Sequence, residues 1–217
     1  MNIGVYGGTF NPIHFGHLRT AEEIWQRFKL KQVIFVPSAK PPHKDEEVID
    51  PMHRLKMTTL AITGNDHFTA SDLEIVRPGK SYTIETMREL KRQNAEADFY
   101  FILGRDAFLE IDTWYHWPEL FRETNFIVTT RPGSKKAAPA KMIPQPVRGQ
   151  FKWFRGSRDQ LQEFNHTSGH KVIFAPVTEI NISASIIRRM VREGRSIRYL
   201  TPRRVREYII ENGLYQK

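Results

Sequence analysis

The chain has 217 residues, which suits one α/β domain large enough to bury a sizeable hydrophobic core. It contains no cysteine, so disulfides and cysteine-based zinc sites are excluded. Because no apolar run approaches the length of a membrane span and the N-terminus does not resemble a secretory signal, we expect a cytoplasmic protein without a membrane partner.

The basic excess of the chain belongs to two segments of its C-terminal half. The net charge is +9, yet residues 124–158 hold eight Lys/Arg and no acid, and residues 185–206 hold eight Arg and one acid. The rest of the chain is net negative. Two local patches suit a compact polyanion such as a triphosphate at least as well as a long nucleic acid. A solvated basic surface without a ligand is the third interpretation.

Short apolar runs that predict strands alternate with helical patterns along the chain. The strands are expected at Ile3–Tyr6, Val33–Val36, Phe99–Leu103, Phe126–Thr129 and Val172–Ala175, with a weaker candidate at Phe68–Ala70. The helices are expected at Phe15–Phe28, Met52–Ile62, Thr83–Arg92, Ala107–Ile111, Pro118–Phe121, Ala184–Arg192 and Pro202–Asn212. This alternation predicts βαβ units and a parallel sheet, with the ligand at the carboxyl ends of its strands.

Local signals mark three ends of two helices. Asp50-Pro51 and Thr201-Pro202 each suit an N-cap followed by a proline in the first turn. Gly213 suits the residue that follows a helix C-terminus.

The segment 131–149 interrupts this regular pattern. It holds four prolines, five basic residues and no acid, which predicts an extended surface loop. The run Phe151–Phe154 and a helix-like stretch at Asp159–Phe164 follow it. We therefore expect one domain over residues 1–217, with a proline-rich basic loop at about 131–149 and C-terminal helices at about 184–212.

Residues 7–17, GGTFNPIHFGH, form the most informative motif of the chain. The pair Gly7-Gly8 lies between the first predicted strand and the first predicted helix, where backbone near a helix N-terminus can hold a phosphate. His14 and His17 share one face of the first helical turn. A zinc site would need a third ligand, and the glutamate of zinc-protease helices is absent. Two packed structural histidines are another interpretation, but glycines, helix start and imidazoles together favour phosphate chemistry.

The same motif resembles the signature of the nucleotidyltransferase superfamily that adenylylates or cytidylylates small phosphates. A second motif of that superfamily, Ile-Ser-Ser-Thr-x-x-Arg in many members, is similar to Ile182–Arg188. Ala184 replaces its second serine and Ser185 replaces its threonine, so one hydroxyl is missing. Ser183, Ser185 and Arg188 still supply hydrogen-bond donors at a helix start. Two such motifs in the right order are more specific than either alone.

Further segments across nearly the whole chain resemble the bacterial nicotinate-nucleotide adenylyltransferase family. They are Pro37–Lys44, Ser71–Glu74, Gly79–Thr83, Phe101–Asp106, Trp114–Trp117, Arg131–Gly133 and Leu200–Tyr215. The resemblance implies a Rossmann-like, doubly wound α/β fold, with a mostly parallel sheet, helices on both faces and a C-terminal helical segment. It also implies that ATP and nicotinate mononucleotide react to give nicotinate adenine dinucleotide and pyrophosphate.

The resemblance further implies roles for individual residues. The expected catalytic residues are His14, His17 and Arg188. The expected ATP site comprises Gly7, Gly8, Thr9, Phe10, His14, His17, Gly104, Asp106, Ile182, Ser183, Ser185 and Arg188. The expected mononucleotide site comprises Thr9, His43, Lys44, Tyr82, Thr83, Trp114 and Arg131. Mg²⁺ is the expected cofactor, and no residue is assigned to it because the phosphates of ATP and water would hold it.

Several alternatives stay open at the level of sequence. Trp114 could equally pack in the core, and Asp106 could equally cap a short helix. The acceptor could be another small phosphate, such as nicotinamide mononucleotide or pantetheine phosphate. A non-enzymatic nucleic-acid-binding protein is a more distant alternative, based on the aromatic and basic run Phe151–Arg155. We expect no nucleic-acid partner, and the oligomeric state, including a homo-oligomer, is left open.

Overall fold

Strands and helices alternate through most of the computed structural model, which describes residues 1–40, 48–130, 139–155 and 161–216. The strands in these ranges are β1 (Asn2–Gly8), β2 (Gln32–Pro37), β3 (Phe68–Ala70), β4 (Asp98–Gly104), β5 (Asn125–Thr130), β6 (Phe151–Arg155), β7 (Gln162–His166) and β8 (Lys171–Pro176). The helices are α1 (Phe15–Phe28), α2 (Pro51–Ile62), α3 (Leu73–Val76), α4 (Thr83–Gln93), α5 (Arg105–Leu109), α6 (Trp117–Glu123), α7 (Pro139–Met142), α8 (Gln145–Arg148), α9 (Ala184–Arg192) and α10 (Arg203–Glu211), with a 3-10 turn at Ile111–Thr113. Within the described part of the chain, no helix is long and apolar enough to cross a membrane.

All of these strands belong to one sheet, in the order β3-β2-β1-β4-β5-β8-β7-β6. Six of them run parallel to their neighbours from β3 to β8, whereas β7 pairs antiparallel with both β8 and β6. The chain winds outward from β1 to β3 on one side, then returns to the other side of β1 with β4. In such sheets the crevice beyond the carboxyl ends of the two strands at the reversal is the favoured ligand site.

The sheet is covered on both faces. Successive side chains along its strands accordingly enter two different hydrophobic cores. Phe101 joins one buried cluster and its neighbour Ile102 joins the other. Helices α4 and α6 cover the first face, and α1, α2, α9 and α10 cover the second. Strands buried on both faces read as continuous apolar runs, which is why sequence alone locates them. The predicted doubly wound fold is therefore confirmed.

The helix predicted at Asp159–Phe164 is wrong over its described part, because residues 162–164 belong to strand β7. Phe164 lies opposite Val172 of β8 and is buried. Its neighbour Glu163 points the other way, and its Oε1 atom lies 2.9 Å from Nζ of Lys171. One buried phenylalanine in a polar segment gives almost no period-two signal, so pairing with β8 decides the structure.

The extended loop predicted at 131–149 is also wrong for residues 139–149. Here the chain forms the short helices α7 and α8. Met142, Ile143 and Val147 are buried in the first core, so this part is anchored to the fold. Residues 131–138 lie outside the described ranges.

Two of the three predicted helix ends are confirmed. The carboxylate of Asp50 accepts a hydrogen bond from the backbone N–H of Met52 at 2.7 Å, with Pro51 in the first turn of α2. Gly213 follows α10 with a φ of 59°. Thr201, in contrast, does not cap α10, because its hydroxyl donates to the carbonyl oxygen of Ile13 at 3.0 Å.

Candidate active site

The two histidines of the first motif are fixed at the start of α1. His14 is the N-cap residue and His17 the third residue of the helix. The backbone N–H of His14 donates to Nδ1 of His17 at 3.2 Å, and the two rings stack with their centroids 3.7 Å apart. A Cβ atom at Gly16 would lie 3.0 Å from the His14 ring. The spacing His-x-Gly-His thus follows from one compact helix cap.

Hydrogen bonding and burial set the tautomer of the His17 ring and the charge of the His14 ring. Because Nδ1 of His17 accepts a hydrogen bond, the neutral ring carries its proton on Nε2 and donates from that atom. Phe10 packs edge-on against the same ring, at a centroid distance of 5.2 Å. His14 is only 6% exposed, and burial lowers its pKa to about 4. His14 is therefore uncharged at neutral pH.

Two cavities meet at this helix start. The first has a volume of about 450 Å³ and lies between the carboxyl ends of β1 and β4 and the start of α4. The second, of about 370 Å³, lies between α1, α5 and the segment that follows β8. Three residues, Tyr6, His17 and Gly104, line both cavities. His17 thus stands at the boundary of the two spaces, where groups bound in each would meet.

The structure distributes the predicted site residues over these spaces unevenly. The first cavity is lined by Gly7, Gly8, Thr9, Phe10, Tyr82, Thr83 and Trp114, and the second by His14, Asp106 and Ile182, while His17 and Gly104 line both. Ser183, Ser185 and Arg188 are described, but they line neither cavity. His43, Lys44 and Arg131 lie outside the described residues.

The second motif begins helix α9 and contacts the first motif directly. Ser183 is the N-cap of α9, and its hydroxyl accepts a hydrogen bond from the backbone N–H of Ile186 at 3.3 Å. The Ser185 hydroxyl lies 3.1 Å from that of Ser183. Arg188 donates from Nη1 to the carbonyl oxygen of Asn11 at 2.9 Å. Residues 177 positions apart are thereby held in one site.

Further contacts from the C-terminal segment support the first motif. Tyr215 donates from its hydroxyl to Oδ1 of the buried Asn11 at 2.9 Å. The backbone N–H of Phe15 donates to the carbonyl oxygen of Leu200 at 3.1 Å. Asn11 and Tyr215 were missed as site-supporting residues, because neither contact has a local sequence signal.

Trp114 belongs to the core and to the cavity at once. It packs edge-on against Phe101 with ring centroids 6.1 Å apart, and it lines the first cavity. Asp106 is not an N-cap, because Gly104 holds that position of α5 and Asp106 lies in its first turn. Asp106 is exposed and lines the second cavity.

The start of helix α4 provides a position for an anion in the first cavity. Helix α4 has 11 residues and starts at the cavity wall, where Tyr82 is the N-cap and Thr83 the first helical residue. The exposed N–H groups and the dipole of such a helix attract a carboxylate or phosphate. Within the described ranges, no group of three or more His, Asp or Glu residues could hold a metal ion.

Comparison with known proteins gives the class of the chain first. The family model described as cytidylyltransferase-like matches residues 5–190. The chain is therefore a nucleotidyltransferase of the cytidylyltransferase-like class. Two relatives named "Probable nicotinate-nucleotide adenylyltransferase" align over almost their whole length. The protein from Geobacter metallireducens is 44% identical over 99% of this chain and 98% of its own. The protein from Syntrophotalea carbinolica is 42% identical over 100% of this chain and 98% of its own.

These identities show that the chain belongs to the nicotinate-nucleotide adenylyltransferase family. A solved structure of the same fold is that of Plasmodium falciparum nicotinic acid mononucleotide adenylyltransferase complexed with NaAD, with a TM-score of 0.75. It is 21% identical to this chain, and the match covers 99% of this chain and 97% of the Plasmodium chain.

Proposed function

We propose that the chain transfers the adenylyl group of ATP to nicotinate mononucleotide, giving nicotinate adenine dinucleotide and pyrophosphate in NAD biosynthesis. The observation that carries the proposal is the position of His17 between two adjoining cavities. A two-substrate transfer needs such a boundary, where the acceptor phosphate meets the α-phosphate of ATP. The family relationship supplies the acceptor and agrees with this geometry. We also propose that residues 1–217 act as a single nucleotidyltransferase domain.

The first cavity is the proposed mononucleotide site. Trp114 offers an aromatic face for the pyridine ring, and the start of α4 at Tyr82 and Thr83 offers backbone N–H groups for the nicotinate carboxylate. Thr9 lines the same space. His43, Lys44 and Arg131, which lie outside the described residues, remain predicted ligands of the mononucleotide.

The second cavity is the proposed nucleoside site for ATP. Asp106 lines it from the first turn of α5, at a position where its carboxylate could accept hydrogen bonds from ribose hydroxyls. Gly104, at the boundary, leaves room for the phosphate chain, because a Cβ built there meets no atom within 4 Å. Ser183, Ser185 and Arg188 would hold the β- and γ-phosphates from the start of α9.

The proposed mechanism relies on positioning and charge stabilisation. An oxygen of the mononucleotide phosphate attacks the α-phosphorus, and since this oxygen is already anionic, no general base is needed. His17 donates from Nε2 to the phosphate oxygens that gain charge, and Arg188 stabilises the departing pyrophosphate. Neutral His14 orients His17 by stacking on it. Mg²⁺, held mainly by the ATP phosphates and water, would neutralise part of their charge.

Pyrophosphate release from Mg-ATP tests this function and its nearest alternative together. The purified chain is assayed with nicotinate mononucleotide, nicotinamide mononucleotide and pantetheine phosphate in parallel. We expect kcat/KM for nicotinate mononucleotide to exceed the others by about 100-fold, which equals about 2.7 kcal/mol of differential binding. A higher kcat/KM for either other acceptor would replace the proposed substrate, and no release with any acceptor would refute the transferase itself.

A further inference from the structure

The backbone of one residue beside the first cavity, Ala39, is held by side chains from two other parts of the fold. Ala39 follows Ser38, which lines the cavity after the end of β2. The N–H of Ala39 donates to the hydroxyl oxygen of Ser81 at 2.8 Å. Its carbonyl oxygen accepts a hydrogen bond from Nη2 of Arg54 at 3.1 Å. Both backbone polar groups of Ala39 are therefore fixed by residues far from it in sequence.

Arg54 ties three separate segments together from inside the protein. It is fully buried in α2, and burial lowers the pKa of its guanidinium, which nevertheless stays protonated. Besides Ala39, it donates from Nη1 to the carbonyl oxygen of Thr9 at 2.9 Å and from Nε to that of Ile49 at 3.0 Å. Three donors in one plane require the guanidinium fork, and a lysine could not replace them. Arg54 thus couples the Ala39 loop to the loop after β1.

Ser81 completes the connection to the start of α4. Its hydroxyl oxygen also accepts a hydrogen bond from the N–H of Lys40, at 3.2 Å. With both lone pairs engaged, the Ser81 proton is directed to the carboxylate of Glu74, with which its side chain is hydrogen-bonded. Glu74 is buried at the cavity wall and accepts a second hydrogen bond from the Thr86 hydroxyl at 2.6 Å. Every member of this network therefore has a partner.

We propose that Arg54 and Ser81 are positioning residues that fix the mononucleotide side of the active site. They act through the backbone of Ala39, which they hold in register with Thr9 and with the start of α4 at Tyr82 and Thr83. This inference rests on the proposed function, because it assigns the acceptor to the first cavity. Neither side chain needs to touch the reacting atoms.

Ser81→Ala is the principal test, since it removes the hydroxyl and little volume. We expect the KM for nicotinate mononucleotide to rise by about tenfold, because two N–H groups lose their partner and the loop shifts. The KM for ATP should change by less than about twofold, since the second cavity is untouched. Ser81→Thr keeps the hydroxyl and should restore most of the acceptor affinity. Arg54→Lys, if it folds, should raise the same KM while its circular dichroism spectrum stays that of wild type.

Ser168→Ala is the matched control. This substitution also removes a hydroxyl from a polar network, because the Ser168 hydroxyl donates to the carbonyl oxygen of Phe121 at 3.1 Å. Ser168, however, lies at the turn between β7 and β8. It should lower stability without separating the two KM values. The proposal would be overturned if Ser81→Ala raised both KM values equally or raised neither. It would also be overturned if Ser168→Ala raised the KM for nicotinate mononucleotide without raising the KM for ATP. An inactive wild-type chain would instead overturn the proposed function, and the positioning role with it.

Discussion

Replacing His17 separates its contribution to chemistry from its contribution to the helix cap. Nδ1 of His17 accepts the N–H of His14, whereas Nε2 is the proton-bearing atom of the neutral ring. An asparagine places its Oδ1 where Nδ1 stands, so His17→Asn keeps the cap acceptor and removes the Nε2 donor. His17→Ala removes both. The pair of variants therefore isolates the two ring nitrogens.

The magnitudes follow from these two atoms. Loss of one preorganised donor to a developing anionic oxygen lowers kcat by about 10²–10³-fold, or about 2.7–4 kcal/mol. Loss of a helix-cap acceptor destabilises a protein by about 1 kcal/mol. For a chain of 217 residues, that lowers Tm by about 2–4 °C. We expect both variants to lose turnover equally, and only His17→Ala to lose stability.

Steady-state turnover and calorimetry on the same preparations measure both effects. The KM for ATP should change less than kcat in both variants, since the lost contact strengthens in the transition state. His17→Asn with turnover near that of wild type would refute the assignment of Nε2 as a phosphate donor. A Tm for His17→Asn as low as that of His17→Ala would show that the hydrogen bond from the His14 N–H to Nδ1 of His17 does not stabilise the helix cap.

Three further predictions concern other residues of the site. Trp114→Ala should raise the KM for nicotinate mononucleotide by up to about tenfold and the KM for ATP much less, since an aromatic contact contributes about 0.5–1.5 kcal/mol. Steady-state kinetics measure both values, and an equal rise in the two would contradict this role. Gly104→Val should keep the Tm of wild type, because a Cβ there meets no atom within 4 Å, yet lower kcat/KM for both substrates. Because the folded pKa of His14, about 4, lies below its ordinary value of 6.5, the unfolded chain binds this proton more readily, and stability falls as pH drops from 6.5 towards 4. Urea unfolding at pH 7.5 and pH 5 should show a loss of about 2 kcal/mol more in wild type than in His14→Gln, and equal losses would contradict the assignment.

The sequence predicted best the elements whose interactions are local or buried on both sides. Helix α1 has its predicted bounds because its apolar residues repeat at helical spacing. The central strands were found because both of their faces are buried, which leaves uninterrupted apolar runs. Strand β7 was missed because its only apolar residue is Phe164, and its pairing with β8 is a tertiary contact that no local pattern reveals.

The candidate site shows the same contrast between features with a local sequence signal and contacts that only the fold creates. The two motifs could be located from the sequence because each combines its polar residues with a predicted helix start, and the roles of those residues stay predictions. The bond between Arg188 and Asn11 joins residues that only the fold brings together. Arg54 was missed because a charged side chain in a helix normally predicts an exposed face. Its burial depends on three carbonyl groups, one after β1 and two between β2 and α2, which no local pattern can reveal.

Following the phosphorus atoms of ATP tests the central claim most directly. The purified chain is incubated with nicotinate mononucleotide, Mg²⁺ and ATP labelled with ³²P at either the α or the γ position. Adenylyl transfer predicts that the α label enters the dinucleotide and the γ label leaves as pyrophosphate. A γ label in the nucleotide product would indicate phosphoryl transfer instead. An α label that stays in ATP or AMP would show that no adenylyl group reaches this acceptor. Either result would contradict adenylyl transfer to nicotinate mononucleotide.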